Sequence, residues 1–338
     1  MEPMVSICCA AYNHAPYIAR ALDGFLSQKT SFPVEILIND DASTDGTPEM
    51  IRQYAEKYPD VIKPLFQSEN QYSKGVAIDP AFNYSRARGK YIALCEGDDF
   101  WCDDQKLQRQ VDYMEAHPDC SFCFTNGYIH DVDGRRPDRE FIPYYEKEKE
   151  AYSAADRAYT AGEMCGLTFV PTASFLFPRR VLDLLPGSYW DKPCPHGDLK
   201  LRLFCTAAGY GFYQHAFTCV YRENVAGGAM SRWSADGAAR VSARAASVAE
   251  MLADVDEFSQ KRYTEQIGRF RDWYLYVMLW NAPTQAALAD RDAKRVYAAL
   301  PLKQRIKFRL KHLLPRGLID ALKRAAAWPA GEEKKRGE

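Results

Sequence analysis

The 338-residue sequence predicts an α/β fold, a mostly parallel sheet flanked by helices and followed by a helical C-terminal extension. Three observations predict it. Short β-branched runs alternate with helical periodicity in the N-terminal part, and each early run ends in a polar cluster. Beyond residue 235 the texture changes, with Ala, Arg and Glu abundant and strand signals absent.

Val5 to Ala11 is an apolar run ended by Tyr12-Asn13, after which Ile18, Ala21, Leu22, Phe25 and Leu26 share one helical face. Val34 to Ile38 is the second strand, ended by Asn39-Asp40-Asp41. Thr47-Pro48 then supplies an N-cap and a proline at the first helical position, and that helix runs to about Lys57, ahead of Tyr58-Pro59. Ile62 to Phe66 is a third strand, with a helix expected from Pro80 to Arg88 and closed by Gly89. Tyr91 to Cys95 is the fourth, running into Glu96-Gly97-Asp98-Asp99. Ligands bind at the carboxyl ends of strands in such sheets, so Tyr12-Asn13, Asp40-Asp41 and Asp98-Asp99 are expected along one edge.

Further on, the pattern gives a helix from Asp104 to His117, a strand from Ser121 to Thr125 and a polar, loop-rich stretch to about Asp156. Val170 to Phe177 reads as a strand and Leu199 to Ala208 as a helix opened by Asp198. Ala235 to Leu279 reads as mostly helical, and a basic amphipathic helix broken at Pro315 follows.

Hydrophobic residues make up 47% and charged ones 26%, ordinary globular values, and a net charge of -1 excludes a general nucleic-acid binder. The opening MEPMVSICCA has no basic region before its apolar stretch, and no run approaches the roughly 18 apolar residues of a spanning helix. The body is therefore expected in the cytoplasm. The ten cysteines are expected to be free thiols, because Cys8, Cys9, Cys95, Cys205 and Cys219 stand inside apolar runs and read as small buried hydrophobes. Cys120-Ser121-Phe122-Cys123 has C-x-x-C spacing but no second pair to complete a zinc site.

VSICCAAYN, EILINDDASTDGT and GKYIALCEGDDFW resemble the N-terminal half of glycosyltransferase family 2, which has the GT-A (Rossmann-like) fold. HGDLKLRLFCTAAGYGFY, followed by VYREN, a glycine pair and MSRW, resembles the acceptor-side half of its bacterial cell-surface polysaccharide members. The resemblance covers residues 4 to 235. It implies a catalytic domain over 1–235, with a nucleotide-sugar-binding half (1–118) and an acceptor half (119–235); the residue pattern adds a helical region over 236–338 carrying a basic amphipathic tail.

The implied activity is inverting transfer of a sugar from a nucleotide diphosphate sugar, UDP-linked by family preference, to an acceptor hydroxyl in surface polysaccharide, capsule or lipopolysaccharide synthesis. The partners implied are that donor and a saccharide or lipid-linked saccharide acceptor. Such chemistry needs a divalent metal (Mn2+ or Mg2+) to neutralise the departing diphosphate, a nucleoside pocket and a general base. By resemblance, Asp99 ligates the metal, Asp98 lies near the ribose, and Ala10, Tyr12 and Asp41 border or bind the nucleotide. Hard carboxylate oxygens suit these ions, and a carboxylate accepts from a base imide N–H. Turn-capping is the structural alternative for each of these aspartates.

Asp198, in Pro195-His196-Gly197-Asp198, matches the family's catalytic base, with N-cap duty as the alternative. One departure stands out: where many relatives carry a histidine after VYR, this chain has Arg222-Glu223-Asn224 and then Val225-Ala226-Gly227-Gly228. Diphosphate contacts are therefore expected from Arg222, Arg232 or the glycine backbone, with Trp233 helping to close the loop.

In the tail, Ile306, Leu310, Leu313 and Leu314 recur at helical spacing among Lys303, Arg305, Lys307, Arg309 and Lys311, and Leu318, Leu322 and Trp328 extend the set. This stripe over 302–328 suits peripheral contact with an anionic membrane surface; a helix packed on the domain with a solvated basic face is the alternative. Two other functions compete with transfer. Nucleotidyltransferases also use paired aspartates but open with a glycine-rich loop, and Val5 to Asn13 has no glycine. A noncatalytic nucleotide-sugar-binding or scaffold relative is opposed by the retention of Asp41, Asp98, Asp99 and Asp198.

Overall fold

The structure, a computed structural model, describes residues 2–144, 155–192, 194–226, 228, 236–281 and 289–313. The chain divides into two compact units, Met1–Ala235 with Glu250–Phe270, and Asp236–Ala249 with Arg271–Glu338.

The first unit is built on β1 (Val5–Ala11), β2 (Val34–Asp40), β3 (Ile62–Phe66), β4 (Tyr91–Leu94), β5 (Phe100–Trp101), β6 (Cys120–Asp131), β7 (Arg139–Glu140), β8 (Arg157–Tyr159), β9 (Leu176–Pro178) and β10 (Tyr210–Glu223). These form one sheet in the order β3-β2-β1-β4-β9-β6-β10-β5, with β7 on β6 and β8 on β10. Its first half is parallel, as the strand-helix alternation requires. Beyond β4 it is mixed: β9 is antiparallel to both β4 and β6, and β10 runs parallel to β6.

The helices of this half are α1 (Ile18–Leu26), α2 (Thr47–Lys57) and α3 (Lys106–Ala116), followed by α4 (Ala161–Met164), α5 (Gly187–Asp191) and α6 (Gly197–Ala207). Ile18, Ala21, Leu22 and Phe25 of α1, Ile51 of α2 and Leu107, Val111 and Met114 of α3 join Val5, Ile7 and Cys9 of β1 in one core. The alternate residues Ser6 and Cys8 are buried too, because both faces of the central strands are covered. Gly24 lets α1 press on β5: a Cβ there would stand 2.8 Å from the Trp101 carbonyl oxygen.

Several elements differ from the sequence pattern. Thr47 is the first residue of α2 rather than its cap, and Asp45 receives the Thr47 N–H at 2.9 Å. The helix expected from Pro80 to Arg88 is a wide turn (Asp79–Asn83) followed by a tight one (Tyr84–Arg86). The strand expected from Val170 to Phe177 shortens to β9, after a tight turn at Thr172–Ser174. The strand expected over Ser121 to Thr125 is only the interior of β6. Its far end alternates buried and exposed residues, which an apolar-run reading does not detect. All ten cysteines are free thiols, eight of them buried.

The C-terminal helices are α7 (Ala238–Phe258), α8 (Thr264–Asn281), α9 (Arg291–Ala299) and α10 (Leu302–Leu313). Within the second unit, Ala249, Leu275, Leu279, Ala293, Val296 and Phe308 form a core of their own. Among the described residues no helix is long and apolar enough to cross a membrane. Pro315 and the tail beyond Leu313 lie outside the described residues.

Candidate active site

The carboxyl ends of β1, β2 and β4 lie side by side, so the three polar clusters meet at one edge. The turn after β4 tucks under the end of β1, where the Gly97 N–H donates to the Ala10 carbonyl at 2.9 Å. A side chain at residue 97 would force its neighbours to move, since a Cβ would stand 2.9 Å from both His14 Nδ1 and Ile18 Cδ1. That close approach brings His14 Nε2 to 3.7 Å from Asp98 Oδ2.

Asp99 is 2% exposed, and its Oδ1 accepts the Arg222 backbone N–H at 2.9 Å. The topology explains the meeting. Phe100 and Trp101 leave the acidic turn to pair with Val220 and Cys219 of β10, which carries Arg222 back beside Asp99. The Arg222 guanidinium donates to the Asp98 carbonyl at 2.6 Å and lies over the rings of Phe100 (4.5 Å) and Tyr17 (5.1 Å). Arg222 thus holds the acidic turn twice, by the Asp99 carboxylate and by the Asp98 backbone carbonyl.

The electrostatics follow from crowding. Burial, then the charges of Asp98 and Glu96, push the Asp99 carboxyl well above the carboxylate range, against the opposing pull of Arg222. Glu96 is exposed at its surface, while the protein around its carboxyl crowds it. That crowding, followed by the charges of Asp98, Asp79 and Asp198, pushes it up to about 8. Asp79 is itself pushed up to about 6 by its enclosure. The field of Asp198 therefore reaches the turn from α6. Asp198 stands in the first turn of that helix, half-buried; the cap position is taken by His196, and no side chain caps the helix there.

On the other side of the edge, Asp41 is 2% exposed and its two carboxylate oxygens accept the backbone N–H groups of Gln71 (2.7 Å) and Tyr72 (3.0 Å). Asp40 accepts from the Ser43 N–H at 3.1 Å, while its Oδ1 is buried without a partner. The β1 and β2 loops are laced together: Asn13 N–H to Ser43 Oγ (2.9 Å), His14 N–H to Thr47 Oγ1 (2.8 Å), Ala15 N–H to Asp45 (3.0 Å), and Thr44 N–H back to Asn13 (2.8 Å). Asn13 and Ala42 take positive φ of 56° and 59° to make these turns. Tyr12 projects from this loop and is 40% exposed.

The structure thus gathers Ala10, Tyr12, Asp41, Asp98, Asp99, Asp198 and Arg222 in the first unit, and it adds His14 and Glu96. Arg232 and Trp233 lie outside the described residues. Glu96 was visible in the EGDD string, whereas nothing local marked His14, whose place depends on the missing Cβ of Gly97.

Among the described residues no group of three or more His, Cys, Asp or Glu is arranged to hold an ion. The donor set nevertheless fits a divalent metal of the Mg2+ or Mn2+ kind. Such ions bind through one or two carboxylates together with substrate phosphates, and Asp98 and Asp99 are adjacent hard-oxygen donors in a turn crowded with negative charge.

An α/β sheet with an acidic carboxyl edge of this kind defines the GT-A class. The structure resembles S. aureus TarS 1-349 in complex with UDP-GlcNAc (TM-score 0.54, 15% identity, 95% of this chain and 84% of that one). It also resembles the Pyrobaculum calidifontis mannosyltransferase PcManGT in complex with GDP-Man and Mn2+ (TM-score 0.51, 20% identity, 98% and 82%). In sequence, 139 residues are 46% identical to an uncharacterized protein of Mycobacterium tuberculosis, covering 41% of this chain and 39% of that protein. Another 126-residue match, 36% identical, is to Escherichia coli WfaP, a UDP-Glc:alpha-D-GlcNAc-diphosphoundecaprenol beta-1,3-glucosyltransferase, covering 37% and 47%. The matches span less than half of either relative's length. The model of Glycosyl transferase family 2 matches residues 6–183, and the chain belongs to that family.

Proposed function

We propose that the chain is an inverting, metal-dependent glycosyltransferase. It moves a sugar from a UDP-linked donor to a hydroxyl of a saccharide or lipid-linked saccharide in surface polysaccharide, capsule or lipopolysaccharide assembly. The observation that carries this reading is the acidic Asp98–Asp99 turn set against the end of β1 and held by Arg222, with Asp198 near enough for its charge to act on Glu96 of the same turn. Family membership, WfaP's named UDP-Glc donor and diphosphoundecaprenol-linked acceptor, and the UDP-GlcNAc bound by TarS support the substrate class. The Mn2+ in PcManGT supports the metal.

In this reading residues 1–235 do the chemistry, 1–118 on the donor side and 119–235 on the acceptor side, and work from the cytoplasm. Asp99, with Asp98, holds Mn2+ or Mg2+, and a bound ion supplies charge neutralisation for the leaving diphosphate. Asp41 has each oxygen engaged by one backbone N–H and keeps a lone pair on each for a base imide N–H. Tyr12 and the end of β1 at Ala10 border the base. Asp198 takes the proton of the acceptor hydroxyl as its oxygen attacks the anomeric carbon and the bond to the diphosphate breaks. A single base of this kind gives inversion. Arg222 keeps the acidic turn in place, and any contact it makes to diphosphate uses the guanidinium N–H groups not spent on Asp98.

The test is nucleotide diphosphate release from UDP-, GDP- and dTDP-sugars with Mn2+ and a lipid-linked saccharide acceptor. Asp198→Asn should lower turnover roughly 10²- to 10⁴-fold, the usual worth of a general base, while donor binding persists. Binding without turnover for every donor, in the wild type as in the variant, would instead mark a noncatalytic relative.

A further inference from the structure

The helix α10 turns two opposite faces to two different environments. On one face Phe308 is 1% exposed, seated in the core of the second unit with its ring 5.1 Å from Tyr297 and 6.5 Å from Trp280. At 100° per residue, Ile306 points about 160° away from Phe308, and Leu302 lies within about 40° of Ile306. Those two are left 48% and 67% exposed. Among the described residues only three Leu or Ile side chains are so exposed, and two of them are this pair. Lys303 and Lys307 flank the pair on one side, Arg305 and Arg309 on the other, and Leu302–Leu313 contains no acid. The sequence continues the same spacing with Leu310 and Leu313.

We infer that the Leu302–Ile306 face of α10 is a docking surface for an anionic lipid bilayer. The two readings left open by the sequence, packing on the protein and contact with a membrane, are then both realised, by opposite faces of one helix. Phe308 fixes the roll of the helix, so the apolar pair points outward without further rearrangement. The pair enters the acyl boundary while the flanking cations meet lipid phosphates. The charge pattern selects this occupant: a second copy of the same face would bring Lys303, Lys307, Arg305 and Arg309 against their own like charges. The inference stands on the second unit alone and does not depend on the transfer reaction.

Co-sedimentation of the full chain with vesicles tests it, using phosphatidylcholine alone and phosphatidylcholine mixed with phosphatidylglycerol. The wild type should sediment with the mixed vesicles only, and less so as salt rises. Each cation near an anionic surface is worth roughly fivefold in partition, so Lys303→Gln with Lys307→Gln should reduce binding about 25-fold. Ile306→Asp should abolish it with the melting temperature unchanged. Lys294→Gln, an exposed cation on α9, should have little effect. Three results would overturn the inference. They are no binding to phosphatidylglycerol vesicles, equal binding by Ile306→Asp, or concentration-dependent self-association that Ile306→Asp removes, which would make the face an interface between copies.

Discussion

Lys106 offers a quantitative handle on how the scaffold behind the acidic turn is held. It is 0% exposed on α3, its Nζ donates to Gln110 Oε1 at 2.8 Å and it sits 4.3 Å from the centre of the Trp101 ring. Burial pulls its pKa down from 10.5 to about 8. Because the native state binds this proton less tightly than the unfolded chain, the charged form costs stability. The cost is full below about pH 8 and disappears as pH rises towards 10.5. The fall from 10.5 to about 8 corresponds to about 3 kcal/mol. Lys106→Met removes the titration, and it also takes the donor from Gln110 Oε1, which adds an offset that does not vary with pH. In urea unfolding at a series of pH values between 7 and 10.5, the stability of the wild type relative to Lys106→Met should therefore climb by up to about 3 kcal/mol. Groups common to both proteins cancel in the difference. A difference that stays flat across this range would refute the argument and mean that Lys106 is hydrated in the native state and keeps its ordinary lysine pKa.

The site carries further expectations. Arg222→Ala removes the bond to the Asp98 carbonyl and the contacts with Tyr17 and Phe100, and should weaken metal-dependent nucleotide binding roughly 10- to 100-fold, the range for residues that orient metal ligands, as read by calorimetry. Gly97→Ala drives a methyl against His14 and Ile18 and should lower stability by about 1–3 kcal/mol in thermal unfolding. Ala42→Gly should do the reverse, by a few tenths to about 1 kcal/mol, because Ala42 is held at a φ of 59° where glycine is unstrained. Asp41→Asn leaves one of the Gln71 and Tyr72 amides without its carboxylate acceptor and should cost about 1–3 kcal/mol, visible as faster hydrogen exchange in that loop.

The donor-side edge was legible in the sequence because its logic is local. A parallel strand must end in a loop, and the loops after β1, β2 and β4 carry Tyr12-Asn13, Asp41 and Asp98-Asp99 within five residues of the strand end. The segment from Pro80 to Arg88 was misread because its apolar spacing suits a helix, while Asn83 Nδ2 donates to Asp79 and Arg86 donates to Asn83 and the Phe82 carbonyl, favouring two short turns. The long strand β10 was not legible. Its ladder with β6 slips between Gln214 and Phe217 and again before Cys219, so no single alternation runs its length. The hold of Arg222 on the acidic turn joins residues more than a hundred positions apart through the β5–β10 pairing, which no spacing rule encodes. The two-faced character of α10 needed the position of Phe308, since the apolar stripe alone suits either packing or exposure.

The central claim is that the Asp98–Asp99 turn holds a nucleotide diphosphate through a divalent ion, and thermal unfolding with UDP, GDP and dTDP, each with and without Mn2+, tests it most directly. A ligand that binds only the native state raises the melting temperature by mass action. The account requires UDP to stabilise the wild type only when Mn2+ is present, and Asp99→Ala to lose that response. Equal stabilisation without the metal, or in Asp99→Ala, would contradict it.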